Sequence, residues 1–459
     1  MRIGQKSTDV NMTEGSIAKH LIVFSIPLLL GTIFQVLYNT VDSIVVGNYI
    51  GKEALAAVGS MGPATAIFIN LFNGFSIGAS VIVSRFFGAN DHAMVRKAAD
   101  NIYFLTIVLS VFFTGAGLLL VEPILFIMNT PDDVYGLAKE YLTIYFAGLV
   151  WTLIYNMGSA ILRAMGDSRR PLYFVMISSV IHIALDFVFV AKLGLGVAGA
   201  GYSTMISQAI SALMVTVTLI RAKGSYRLDL RSIRFSMAMT KQILKIGLPT
   251  AIQTTVGTLS NILVQSYINA FGSACMASWS VYQQIDSYAV LTVTSLSSGL
   301  TTFTGQNLGA GYPDRVRKAT RFAITLSFSI SMASQLVLIL FAPQFVQLFN
   351  NDATVVYYGT LLLRFVGPIQ VLGTPATCWF ATLRGAGITV MPSVISLVSN
   401  IALKLVYFIV ATAFDASFLV LIAGFPLCWL ACLVWGFFYY RFSNWEEKSR
   451  KIFRDKAKA

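Results

Sequence analysis

Four charged side chains lie inside long apolar stretches of this sequence. Asp42 occurs in "FQVLYNTVDSIVVG", Asp186 in "SSVIHIALDFVFV", Asp286 in "SVYQQIDSYAVL" and Lys404 in "SNIALKLVYF". At the centre of a bilayer such a group costs roughly 2.5–3.5 kcal/mol on insertion scales. We therefore expect each of them either to bind an ion or to form a pair that holds helices together.

The first half of the chain adds further polar groups around its two acids. Gln35, Asn39 and Asp42 recur at helical spacing, so they form one stripe on a helix. His182 precedes Asp186 by one turn and faces the same way.

A helical rise of 1.5 Å per residue places these acids in the outer half of the membrane. Tyr141 and Thr204 fall at a similar depth, and Asn156 lies nearer the cytoplasm. Burial and a second carboxylate both favour protonation of a carboxyl group, and the same oxygens suit Na⁺. The pattern predicts a coupling site for H⁺ or Na⁺, with Gln35 and Asn39 lining a substrate cavity. The alternative, that these groups only join helices by hydrogen bonds, stays open.

In the second half, we expect Asp286 and Lys404 to form a buried charge pair with a structural role, because pairing lowers the cost of both charges. The segment around Lys404 aligns with that around Asp186, with Asn400 over His182. Charge compensation or substrate contact is the functional alternative for this pair.

The elements that carry these residues are transmembrane helices. The chain is 56% hydrophobic and 12% charged, against about 25% charged in soluble domains. The apolar runs are continuous rather than alternating, which excludes a barrel. We predict twelve helices, at about 17–47, 55–86, 95–121, 134–163, 171–191, 196–221, 240–270, 276–308, 316–343, 354–384, 390–413 and 417–441.

The two halves of the chain look like parallel repeats. "ILRAMGDSRRP" matches "TLRGAGITVMP", and both Arg163 to Arg384 and Pro171 to Pro392 are 221 positions apart. "FFGANDHAMVRKA" matches "NLGAGYPDRVRKA" at the same offset. We therefore predict two pseudo-symmetric six-helix bundles. Their bounds are an N-lobe at 1–221, a cytoplasmic linker at 222–239, a C-lobe at 240–441 and a basic tail at 442–459.

The charge distribution predicts the orientation in the membrane. The net charge is +13, and the basic residues cluster in alternate short loops and in the tail, which is the positive-inside pattern. The opposite loops are mostly acidic and include Glu122, Asp133 and Asp415. Both termini are therefore expected in the cytoplasm, in the inner cell membrane, and nucleic-acid binding is not expected. The four cysteines show no metal spacing, and we expect no cofactor and no enzymatic activity, because no nucleophile–base pairing or phosphate loop is visible.

Four segments resemble the MATE (multidrug and toxic compound extrusion) family: "YNTVDSIVVGNYIG", "RAMGDSRRP", "LDFVFV…GVAGAGYSTMISQ" and "GQNLGAG". The resemblance extends along nearly the whole chain. It implies a V-shaped, monomeric exporter, embedded in the lipid bilayer, that uses an H⁺ or Na⁺ gradient to expel small organic cations or amphipathic drugs across the cell membrane. A lipid-linked oligosaccharide flippase of the same superfamily is the alternative.

The resemblance also implies which residues act. Within the family's DinF-type branch, Asp42 matches a cation-site aspartate on the first helix, and Gln35 a polar position near it. Tyr141, Asn156, Asp186 and Thr204 match further positions of that site. His182 stands where the family usually has asparagine, so it is the departure that bears on the choice of ion.

Overall fold

The structure, a computed structural model, describes residues 10–229, 233–414 and 417–454. The described chain is built from helices α1–α18, and the list follows in chain order: α1 Ile17–Tyr49, α2 Lys52–Ser60, α3 Gly62–Gly88, α4 His92–Ile127, α5 Asp132–Ala147, α6 Leu149–Ala164, α7 Arg169–Asp186, α8 Gly196–Ile220, α9 Met237–Asn269, α10 Ser273–Gly309, α11 Pro313–Leu340, α12 Ala342–Gln347, α13 Ala353–Gln370, α14 Thr374–Gly385, α15 Val390–Leu397, α16 Leu403–Phe414, α17 Phe418–Phe442 and α18 Trp445–Arg454.

Several helices are joined with little interruption. A π-helical segment, Phe187–Lys192, follows α7 at once, and another, Val398–Ala402, joins α15 to α16. A 3₁₀ turn, Val371–Gly373, joins α13 to α14. Short π segments inside α-helices are often found at functional sites.

Twelve helical segments of the described chain are long enough to cross a membrane. Nine are also strongly apolar, and α5 with α6, bent by 42°, makes a tenth. The other two are α9 and α10, which have 33 and 37 residues but more serine, threonine and glutamine; a crossing needs about 20 residues. The predicted all-α, multi-pass membrane architecture is confirmed.

The chain folds into two compact units. Among the described residues, the first contains residues 10–11 and the range from Ile26 to Ala251, and the second contains Met12–Ser25 and the chain from Ile252 onwards. These units differ from the sequence-based bounds, which place 12–25 in the N-lobe and 240–251 in the C-lobe. Four parts of the predicted organisation lie outside the described residues: 1–9 of the N-lobe, 230–232 of the linker, Asp415, and 455–459 of the tail.

Close backbone packing explains why the start of α9 belongs to the first unit. A Cβ atom on Gly78 of α3 would lie 2.4 Å from the carbonyl oxygen of Ile243. A Cβ atom on Gly247 would lie 2.8 Å from the carbonyl oxygen of Gly74. Only glycine permits such an approach, which is the usual way membrane helices pack tightly.

Hydrogen bonds fix the stretch before α1 within the second unit. The backbone N–H of Met12 donates to Oε1 of Gln306 at 2.9 Å. The Met12 carbonyl accepts from Nδ2 of Asn307 at 3.2 Å and from Nη2 of Arg315 at 3.3 Å. Hydropathy carries no information on such polar contacts, so the sequence-based bounds place residues 12–25 in the N-lobe.

Candidate functional site

Three titratable side chains of the first unit meet at one point. One donor atom each from Asp42, His182 and Asp186 lies within 4.8 Å of the other two. All three side chains are buried, with 8%, 1% and 0% of their surface exposed. The structure thus brings together the two acids and the imidazole that the sequence placed at matched depth.

Helical spacing explains the convergence. Asp42 lies on α1. His182 and Asp186 lie one turn apart on α7, with Asp186 as its last residue before the π-helical segment. Residues four apart on a helix face the same side, so both project towards the Asp42 face of α1.

The two ring nitrogens of His182 face different partners. Nε2 of His182 lies 3.1 Å from the hydroxyl oxygen of Thr204, and that hydroxyl donates its own hydrogen to the carbonyl of Ala200 at 3.1 Å. While the hydroxyl hydrogen is donated to the Ala200 carbonyl, Nε2 donates to the hydroxyl oxygen. In the neutral imidazole, Nδ1 then presents a lone pair, and Nδ1 lies 3.2 Å from Oδ2 of Asp186.

Three of the four carboxylate oxygens of this cluster lack hydrogen-bond donors among the described residues. Oδ1 of Asp42 and both oxygens of Asp186 are buried without a partner. Ser203 lies close to Asp186, but its hydroxyl donates to the carbonyl of Gly199 at 2.9 Å. Buried acceptors are rarely left unpaired, so this arrangement calls for a proton or a cation between the oxygens and Nδ1.

The other predicted N-lobe residues lie around the cluster at varying distance. Tyr141 is buried near Asp42, and Thr204 contacts His182 directly. Asn156 instead donates from Nδ2 to the carbonyl of Thr152 at 2.8 Å. Its side chain is thus held against its own helix, and no described contact links it to the three clustered groups.

A small polar cavity adjoins His182. It is lined by ten side chains, which include Gln35, Tyr38, His182 and Gln208. The predicted cavity residue Asn39 is exposed and is not part of this lining. Tyr38 is not among the residues predicted from the sequence, although its ring packs edge-on against that of His182, with 4.9 Å between the ring centroids. Its position four residues before Asp42, on the same helix face, was the available signal.

The predicted pair of Asp286 and Lys404 is not formed in the described chain. Oδ2 of Asp286 accepts from Nε2 of Gln370 at 2.9 Å. Nζ of Lys404 instead lies over the ring of Phe425, 5.0 Å from its centroid. The two helices are rotated so that the acid faces α13 and the base faces α17, a rotation that side-chain type alone does not determine.

The second unit has a larger cavity, of about 260 Å³, among its helices. Its polar lining includes Gln253, Gln335, Gln370 and Asn400, and Arg384 is its charged member. Neither Asp286 nor Lys404 lines it. The carboxylate–imidazole cluster of the first unit is therefore the better candidate for binding a cation.

A multi-pass helical protein with unpaired acids inside one bundle belongs, as a class, with membrane transport proteins. A family model described as MatE matches residues 27–188 and 246–410. The chain belongs to this family, which confirms the resemblance carried by the four sequence segments.

Relatives and solved structures agree along nearly the full length. The chain is 28% identical to the probable multidrug resistance protein YoeA of Bacillus subtilis (strain 168) over 445 residues, which cover 95% of this chain and 96% of the relative. It is 27% identical to the probable multidrug resistance protein YpnP of the same organism over 460 residues, covering 97% and 99%. A solved structure, the outward-facing conformation of a multidrug resistance MATE family transporter of the MOP superfamily, matches with a TM-score of 0.89 and 25% identity. That match covers 97% of this chain and 100% of the other. These proteins are named for transport and resistance rather than for catalysis.

Proposed function

We propose that the protein is an antiporter that exports cationic or amphipathic drugs by alternating access, driven by an inward gradient of H⁺ or Na⁺. Asp42 and Asp186 are the coupling carboxylates, and His182 and Thr204 shape their environment. The observation that carries this proposal is the meeting of two buried acids, three of whose four oxygens lack donors among the described residues. The names of the relatives support the drug-like substrate class.

The coupling step follows from electrostatics. Two carboxylates side by side in a low-dielectric bundle repel each other strongly when both are ionised. A proton or Na⁺ that enters from outside removes part of this repulsion and stabilises one arrangement of the helices. When the site opens to the cytoplasm, the cation leaves and the other arrangement is favoured. Drug release on the outer side is then linked to cation uptake there.

Location, orientation and oligomeric state complete the proposed function. We place the protein in the inner cell membrane with both termini in the cytoplasm, as the distribution of basic loops indicates, and we take the monomer as the working unit. The flippase alternative is not favoured, because the relatives described above are named as multidrug resistance proteins.

Transport in proteoliposomes tests the proposal. Purified protein is reconstituted, and efflux of an organic cation is measured under a pH gradient and, separately, under a Na⁺ gradient. Asp42→Asn and Asp186→Asn should each abolish gradient-driven efflux, because an amide does not take up a proton near neutral pH and carries no negative charge to hold a cation.

Asp286→Asn is the matched control, since this acid is also located within a helix of the membrane region but hydrogen-bonds to Gln370. It should retain efflux under the same gradients. Full efflux by the double variant of Asp42 and Asp186 would refute the coupling role.

A further inference from the structure

We propose that the Asp42–His182–Asp186 cluster binds a divalent transition-metal ion of the Zn²⁺ and Co²⁺ type, and that such an ion blocks export by displacing the coupling cation. Metal binding follows from the ligand types, spacing and charge of the cluster and does not depend on the transport function. The block of export rests on the function proposed above.

The first argument is the type of ligand. The cluster offers one imidazole nitrogen and carboxylate oxygens. Imidazole suits Zn²⁺, Cu²⁺, Fe²⁺ and Ni²⁺, whereas Mg²⁺ and Ca²⁺ favour oxygen alone.

The second argument is the direction of the lone pairs. Nε2 of His182 donates to Thr204, so Nδ1 is left to face Asp186. In metal sites, a ligating histidine almost always gives its other N–H to an acceptor that fixes the ring. The Thr204 hydroxyl, held by its own bond to the carbonyl of Ala200, supplies this support before any metal arrives.

The third argument is spacing. Two ligands bound at about 2.0–2.1 Å to one tetrahedral Zn²⁺ lie about 3.3 Å apart. Nδ1 of His182 and Oδ2 of Asp186 are already 3.2 Å apart. The three ligand atoms lie within 4.8 Å of one another, so a small rotation of the Asp42 side chain completes a three-ligand site.

The fourth argument is charge. Two ionised carboxylates and a neutral imidazole carry a net charge of −2, and buried charge is stable only when compensated. A divalent ion neutralises the site completely, whereas one Na⁺ leaves a net charge of −1. Both acids and the histidine are at least nine-tenths buried. Oδ1 of Asp42, both carboxylate oxygens of Asp186 and Nδ1 of His182 have no hydrogen-bond partner among the described residues.

The test is direct metal binding to the purified full-length protein in detergent. Co²⁺ is added, and its visible absorption reports nitrogen and oxygen ligands in a low-coordinate site; Zn²⁺ affinity is measured by calorimetry and by displacement of Co²⁺. The wild type should bind one ion, and excess Mg²⁺ should not displace it.

Histidine variants assign the site. His182→Asn should lower Zn²⁺ affinity at least about tenfold, and Thr204→Val should lower it about 10–100-fold, the range for lost outer-sphere support. His92→Asn is the matched control, because His92 is exposed at the start of α4, and it should bind Zn²⁺ like the wild type. Equal affinity in His182→Asn and His92→Asn would overturn the inference. So would a thiolate charge-transfer band, which would place the metal at cysteine instead of at this cluster.

The two proposals fail separately. If Zn²⁺ does not bind while Asp42→Asn and Asp186→Asn lose efflux, the metal site is refuted and the antiporter stands. If Zn²⁺ binds through His182 while efflux persists in both aspartate variants, the metal site stands and the coupling role is refuted. If Zn²⁺ binds but wild-type efflux is unchanged at saturating Zn²⁺, the block is refuted.

Discussion

Replacing Gly78 by alanine tests the packing that assigns the start of α9 to the first unit. The added Cβ atom would lie 2.4 Å from the carbonyl oxygen of Ile243 and 3.0 Å from the backbone nitrogen of Gly247. Both neighbours are backbone atoms, so the clash cannot be relieved by turning a side chain. Overpacking of this kind costs about 1–3 kcal/mol, which is about a 5- to 150-fold change in the folding equilibrium.

The matched control is Gly257→Ala, further along α9. A Cβ atom at Gly257 meets nothing within 4 Å. Alanine is favoured over glycine within a helix by roughly 0.5–1 kcal/mol, so this variant should be as stable as the wild type or more stable. The two substitutions make the same chemical change and differ in what lies opposite.

The assay is the fraction of monodisperse protein that survives heating in detergent, followed by size-exclusion chromatography. Gly78→Ala should aggregate at a clearly lower temperature than Gly257→Ala. Equal survival of the two variants would mean that α3 and α9 do not approach as closely as described, and the assignment of 240–251 to the first unit would lose its physical basis.

Three further changes have definite expected outcomes. The Asp352 side chain caps α13 by accepting hydrogen bonds from two backbone N–H groups at 2.9 and 3.1 Å. Asp352→Ala removes this cap and should lower the free energy of unfolding by about 1 kcal/mol, measured as a lower temperature of aggregation. Tyr38→Ala removes the ring that packs on His182 and should raise the cation concentration needed for half-maximal efflux, whereas Tyr38→Phe should not. Lys404→Met should leave thermal survival unchanged or raised, because no described acid pairs with this lysine. A loss of stability of about 3–5 kcal/mol, the cost of breaking a buried pair, would instead indicate that Lys404 pairs with Asp286 in the wild type.

The sequence predicts the candidate site well where helical spacing alone decides the geometry. Asp42, His182 and Asp186 are brought together because each faces the interior of the bundle at a similar depth, and both properties can be counted along the chain. Tyr38 obeys the same rule and could have been found. Asn156 shows the limit of the rule, because its amide bonds to its own helix instead of the cluster.

The sequence fails where partner choice depends on helix rotation or on close backbone contact. Asp286 faces α13 and Lys404 faces α17. Hydropathy does not indicate which neighbouring helix a side chain faces. The observed units also differ from the predicted lobes in two short stretches. Residues 240–251 belong to the first unit because Gly78 and Gly247 permit close packing, and residues 12–25 belong to the second because Gln306 hydrogen-bonds to Met12. Such contacts join residues far apart in the chain, and a pattern read along one helix does not contain them.

The internal repeat explains why a cation site is proposed in one unit only. Asn400 takes the place of His182, and its amide donates to the carbonyl of Ser396 at 3.1 Å rather than to a ligand. Lys404 takes the place of Asp186, and it already supplies a positive charge, which rests on the face of Phe425. A second cation there would face like-charge repulsion instead of two carboxylates. The same helical frame therefore offers an electronegative site in the first unit and an electropositive one in the second.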